Sequence, residues 1–106
     1  MCFRKREKEL KKPPTASLIV IKQLLNSDND ELVNIGDELV QEKPLIINFD
    51  KLNEREANKA IAFFSGISFA KKGEVKTIND KTFLFTTSDS FLDGTLEKYL
   101  SKNRLI

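Results

Sequence analysis

The stretch PLIINF, Pro44 to Phe49, sets apolar side chains at consecutive positions. Successive residues of a strand point to opposite faces of a sheet, so a strand of this composition needs cover on both. The same demand returns in TFLFTT, Thr82 to Thr87, where Phe83 and Phe85 face one way while Leu84 faces the other, between Thr82 and Thr86. Glu74 to Asn79 repeats it, with Val75 and Ile78 on opposite faces. A chain of 106 residues has room for one small domain, so the covering layers must be found within it or on a second copy.

The first layer is legible. Ser27, Asp28 and Asn29 are candidate N-caps, followed by acids at Asp30 and Glu31 that complement a helix dipole and are read as helix-start charges. Leu32, Ile35, Gly36, Leu39 and Val40 then recur at the helical period and form one face. Gly36 on that face lowers helix stability and lets a neighbour approach closely. A second helix starts at NERE, Asn53 to Glu56, with Ala57, Ala60, Ile61 and Phe64 as its buried stripe and Gly66 placed to end it. Strands are expected at Ser17–Gln23, Pro44–Phe49, Ile67–Lys71, Glu74–Asn79 and Thr82–Thr87, with hairpin turns at Lys72-Gly73 and at Asn79-Asp80-Lys81.

The resulting order, β-α-β-α-β-β-β, is a two-layer α/β sandwich on a mixed five-stranded sheet, with a short helix after Asp93. Residues 1–16 form a basic arm and a Pro linker, 17–88 the core, and 89–106 a C-terminal extension. Two helices cover one face of such a sheet. The apolar residues of the other face fall either to the C-terminal helix or to a second copy of the chain.

Composition removes most chemistry. With no histidine and one cysteine, the chain has no set of zinc ligands, no Cys-His nucleophile and no Ser-His triad, and neither a metal nor a cofactor is expected. The acids sit at helix starts and turns, so no catalytic pair is evident and an enzyme is not expected. Charge is uneven. Six basic side chains against two acidic ones leave residues 1–12 at net +4, whereas the chain as a whole is +2 and the remainder therefore −2. A nucleic-acid-binding core would gather Lys and Arg on a folded face, so no nucleic-acid partner is expected. The arm, with Phe3, Arg4, Lys5 and Arg6, forms no continuous apolar stripe. Its contact with an anionic membrane is expected to be weak and salt-sensitive, gaining strength only in an assembly.

The segment PLIINFDKLNEREANKAIAFFSGISFAKKGEVKTINDKTFLFTT resembles the SepF family of cell-division proteins, which tether the tubulin-like protein FtsZ to the inner face of the membrane. The resemblance runs through Pro44, Asn48, Ala57, Phe63 or Phe64, Gly66, Phe69, Gly73, Phe83 and Leu84. Lys59 and Ala62 stand where the family tends to have Arg and Asp, and Asn79 stands for the usual hairpin glycine. The resemblance implies a small α/β domain that forms homodimers through its sheet. It also implies higher-order polymers through the second helix near Gly66 and Phe63, and a site for the FtsZ C-terminal tail beside the last hairpin. Phe83 would line that site. The family's basic residue aligns with Thr77, so Lys76 or Lys81 would take its place.

For each residue a structural reading stands beside the functional one: Gly66 as a helix cap, Phe83 as core, Lys76 and Lys81 as solvated hairpin charges. Two functional classes follow, a division-ring adaptor working in the cytoplasm at the division site, or a small α/β regulatory or single-stranded nucleic-acid-binding module using its hairpin aromatics.

Overall fold

A computed structural model describes residues 18–91 and 94–102 of the chain. The elements are β1 (Val20–Gln23), α1 (Asn29–Val40), β2 (Leu45–Asn48), α2 (Glu54–Ala70), β3 (Val75–Asn79), β4 (Thr82–Phe85), a 3-10 turn (Ser88–Phe91) and α3 (Thr95–Lys102). The sheet is mixed, in the order β1-β2-β4-β3. β1 lies parallel to β2 after the α1 crossover, and β2, β4 and β3 are antiparallel neighbours. The basic arm, the Pro linker and Ser17 fall outside the described residues.

The sheet has four strands among the described residues, not five. Ile67–Lys71, expected as a strand, belongs to α2, which runs 17 residues through Gly66 without a break. A glycine inside a helix costs about 1 kcal/mol relative to alanine. The turns on either side outweigh that cost, because Phe64 and Ser68 continue the buried stripe begun by Ala60. Burial at the helical period thus overrides the strand-like composition of Ile67 to Phe69. Gly66 is therefore not a cap.

Lys72 takes the left-handed position instead, at φ 58°. Its N–H donates to the Phe69 carbonyl at 3.0 Å, and that of Gly73 donates to Ser68 at 2.8 Å, the paired bonds of a Schellman ending. The turn expected at Lys72-Gly73 is thus a helix end. α1 finishes the same way, with Glu42 at φ 70°, its N–H on Leu39 and that of Lys43 on Glu38. The Glu42 carboxylate then meets Lys71 and accepts from the Thr87 hydroxyl, joining the ends of α1, α2 and β4. Gly73 allows a still closer approach: a Cβ there would overlap the backbone of Thr86 and Thr87.

The helix starts follow the sequence more closely. Asn53 caps α2, its side-chain oxygen accepting from the Glu56 N–H at 2.8 Å. Asp28 holds the N-cap position of α1 but makes no side-chain cap bond. Gly36 meets α2 as expected, since a Cβ on it would lie 2.8 Å from both Phe63 and Ile67.

Both faces of the sheet carry a packed apolar cluster within the chain, while Ile21 at the edge of the second stays exposed. Leu45, Ile47, Phe49 and Phe85 pack under α1 and α2 against Leu32, Ile35, Leu39, Ala60 and Phe64. On the opposite face, Ile46 and Leu84 pack against Leu96 and Leu100 of α3, with Ile19, Ile78 and Tyr99 at the margin. Of the two ways to cover the second face, the C-terminal helix takes the apolar strip.

Candidate functional site

The hairpin between β3 and β4 closes through Asp80-Lys81. Thr82 pairs with Asn79, whose side-chain oxygen accepts from the Lys81 N–H at 3.0 Å. Asn79 therefore serves the turn as a local acceptor, and its backbone is not left-handed. The Lys81 carbonyl accepts from the Phe49 N–H at 2.7 Å, which fixes the end of β2 to the hairpin turn. That bond, with the Ile47–Phe83 register, brings Phe49 beside Phe83. Their rings meet edge-on at 5.7 Å, and Phe83 stacks on Phe85 at 6.3 Å.

A cavity of about 180 Å³ opens where this aromatic corner meets the first turns of α2. Its apolar wall is Phe49, Ala57, Ile61 and Phe83, and Glu54, Asn58, Asp80 and Lys81 also line it. Phe49 is buried, Phe83 half-buried, and the four polar residues exposed. The wall is fixed by backbone hydrogen bonds and the rim by solvated side chains. The space is that of a single side chain, since a drug-sized ligand needs roughly 300–1,000 Å³.

The expected trio is only partly assembled. Phe83 and Lys81 line the same cavity. Lys76 pairs with Leu84, so its side chain shares the α3 face, and its ammonium lies 3.7 Å from Glu74. Thr77 pairs with Phe83 on the cavity's side of the sheet but brings no charge. Sequence reasoning missed Phe49, Ala57, Ile61, Glu54, Asn58 and Asp80. Parity along β2 places Phe49 on the Phe83 face, and that signal was available; the approach of the α2 start was not.

A second surface runs along the outside of α1 and α2. Val33 and Val40 are exposed at 57% and 47%, and Phe63 and Ile67 are half-buried beside them. Two depressions of about 470 and 260 Å³ meet at Val33 and Phe63. Gly66 is one turn from Phe63 on the same helix; it is exposed, and a Cβ on it would meet open space. Helical geometry thus brings the two expected assembly residues onto neighbouring positions of one surface. Lys59 is tethered, donating to the Ser27 carbonyl at 2.8 Å.

Phe3, Arg4, Lys5 and Arg6, expected to touch an anionic membrane, lie outside the described residues. Among the described residues no helix is long and apolar enough to cross a membrane.

Comparison with known proteins finds relatives in sequence. Residues 21–90 match the family model described as Cell division protein SepF. A cell division protein SepF of Lacticaseibacillus casei is 31% identical over 91 residues, covering 86% of this chain and 58% of that protein. A second, of Thermoanaerobacter sp., is 31% identical over 68 residues, covering 64% of this chain and 50% of that protein. A third, of Lactobacillus gasseri, is 27% identical over 88 residues, covering 83% and 59%. The chain thus spans about half to three-fifths of the length of these relatives.

Proposed function

This chain belongs to the SepF family of cell-division proteins, and on that premise we propose that it is a non-enzymatic adaptor of the division ring, joining the FtsZ C-terminal tail to its own assemblies at the inner face of the membrane. The observation that carries the tail-binding part is the corner between the hairpin and α2. A half-buried Phe83, braced by Phe49 and Phe85, presents an apolar wall with room for one anchoring side chain. Anchors seated in small desolvated pockets hold most of the energy of peptide recognition, with a polar rim contributing less.

Self-association into dimers and larger polymers is assigned to the surface of α1 and α2 that carries Phe63 and Gly66. Exposed apolar side chains on α1 share this helix layer with Gly66 of α2, which carries no side chain and so lets a second helix come close. The C-terminal helix already covers the apolar strip of the opposite face, so in this reading the sheet is the less favoured contact. The basic arm adds weak membrane attraction, multiplied by assembly. A stacking platform for single-stranded nucleic acid gains no support from the corner, because Glu54 and Asp80 outnumber Lys81 around its aromatics.

The test is a titration with a synthetic FtsZ C-terminal tail peptide. Phe83→Ala is expected to weaken binding by about 2 kcal/mol or more. Its thermal melt is recorded alongside, because Phe83 also braces the core. Lost affinity with a cooperative melt supports the pocket; a folded variant with unchanged affinity rejects it.

A further inference from the structure

We infer that the corner beside the hairpin selects a partner segment that carries a basic side chain next to its apolar anchor, and disfavours one flanked only by acids. The inference rests on reading that corner as a peptide site and adds the charge class of what enters it. Around the cavity stand two carboxylates, Glu54 and Asp80, one ammonium, Lys81, and the neutral amide of Asn58. None of the three charged side chains is held in an ion pair among the described residues, where the pairs are Lys43 with Glu38, Lys71 with Glu42 and Lys76 with Glu74. The rim charges are free to meet a ligand.

Their positions are set by structure. Glu54 is the first residue of α2, beside the capping Asn53, and Asp80 is a turn residue of the hairpin. Lys81 follows it, with its backbone clamped between Asn79 and Phe49. The carboxylates therefore come from two elements and converge on an apolar wall with space for a single side chain. Lys76, the cation that would have brought the local balance to zero, lies on the other face of the sheet. An entering segment thus meets a rim of net charge −1, and one basic residue beside the anchor satisfies a carboxylate from either side.

The test uses the full chain, isotope-labelled, and two matched hexapeptides with a central leucine-phenylalanine pair, one flanked by lysines and the other by glutamates. Exposed pairs of this kind are each worth roughly two- to five-fold in affinity, so with two carboxylates the lysine peptide should bind about 4- to 25-fold more tightly at low salt. Amide shifts should centre on Phe83, Lys81 and Asn58, and the gap should close as salt is raised. Glu54→Gln combined with Asp80→Asn leaves Lys81 as the one charge among the lining residues, so it should abolish the lysine peptide's advantage and tilt binding toward the glutamate peptide while keeping the shifts at Phe83. Equal binding in the parent chain, preference for the glutamate peptide, shifts that map to α1, or no binding of either peptide at millimolar concentration would each overturn the inference. An FtsZ tail that binds through Phe83 regardless of these charges leaves the adaptor reading intact and sinks this one. A lysine peptide that binds where the tail does not has the opposite meaning.

Discussion

One face of the sheet packs Phe49 and Phe85 under two helices of 12 and 17 residues, while the other sets Ile46 and Leu84 under one helix of eight. The first face is knitted by ring contacts: Phe64 meets Phe85 at 5.4 Å and Phe63 at 5.5 Å, and Phe49 meets both Phe83 and Phe85. The second face is apolar for only part of its width. Beyond the strip under α3 it turns polar, with Gln23 donating to Asn48 at 3.1 Å and Asn48 to Thr82 at 2.8 Å, while Ile21 stands 64% exposed. A sheet with apolar residues on both faces thus does not need two equal layers. A wide aromatic core on one side stabilises the domain, and a narrow strip on the other is closed by a single short helix.

That contrast is open to direct attack, beginning where the helix layer joins the sheet. Gly73→Ala forces a methyl group into the Thr86 backbone, which has no rotamer with which to yield. Thr86 is tied to Glu74 by three bonds: its N–H and hydroxyl both donate to the Glu74 carbonyl, and its hydroxyl accepts from the Glu74 N–H. The expected loss is about 3 kcal/mol or more by urea titration, a large share of the roughly 5–15 kcal/mol that holds such a domain folded. A variant as stable as the parent would mean that the joint is looser than the geometry shows.

The two faces are compared by truncating one fully buried side chain on each. Phe64→Ala should cost about 3–5 kcal/mol, since its cavity is walled by two helices and the sheet. Leu100→Ala should cost about 2 kcal/mol, at the low end for such a change, because an eight-residue helix can shift to fill the space. Equal losses in matched denaturant titrations would abolish the distinction between a stabilising core and a cover.

The smallest effect has the opposite sign. Gly66 is helical and faces open space, so Gly66→Ala should stabilise the chain by about 0.5–1 kcal/mol through helix propensity alone. Had Gly66 been the left-handed cap expected from its place after Phe64, the same change would be destabilising, so a thermal melt decides between the two. Gly66→Lys should fold equally well but lose any large particles seen by electron microscopy, if this surface is where copies meet.

Much of the site was legible in residues and much was not. Parity along Thr82–Thr87 correctly placed Phe83 opposite Leu84, and the Asn79-Asp80-Lys81 turn was placed within a residue. The grouping of Lys76 with Phe83 failed on the same parity rule applied across the ladder: Lys76 pairs with Leu84, not with Phe83. Which helix end would wall the cavity lay beyond reach, because it depends on how α2 crosses the sheet.

Local rules alone determined the helix starts, the β-α-β opening, the two-faced demand of PLIINF and TFLFTT, and the close contact at Gly36. Each depends on a repeat or a cap contained within a few residues. Tertiary structure decided where α2 ends. Gly66 and the β-branched Ile67 favour a break locally, yet burial of Phe64 and Ser68 against the sheet carries the helix to Ala70, and Lys72 accepts the left-handed turn to let Gly73 lie on Thr86. It also decided what lies over Ile46 and Leu84. The sequence required a cover there, but a chain segment and a second copy satisfy the same apolar surface equally well, and only the path of the chain after β4 selects between them.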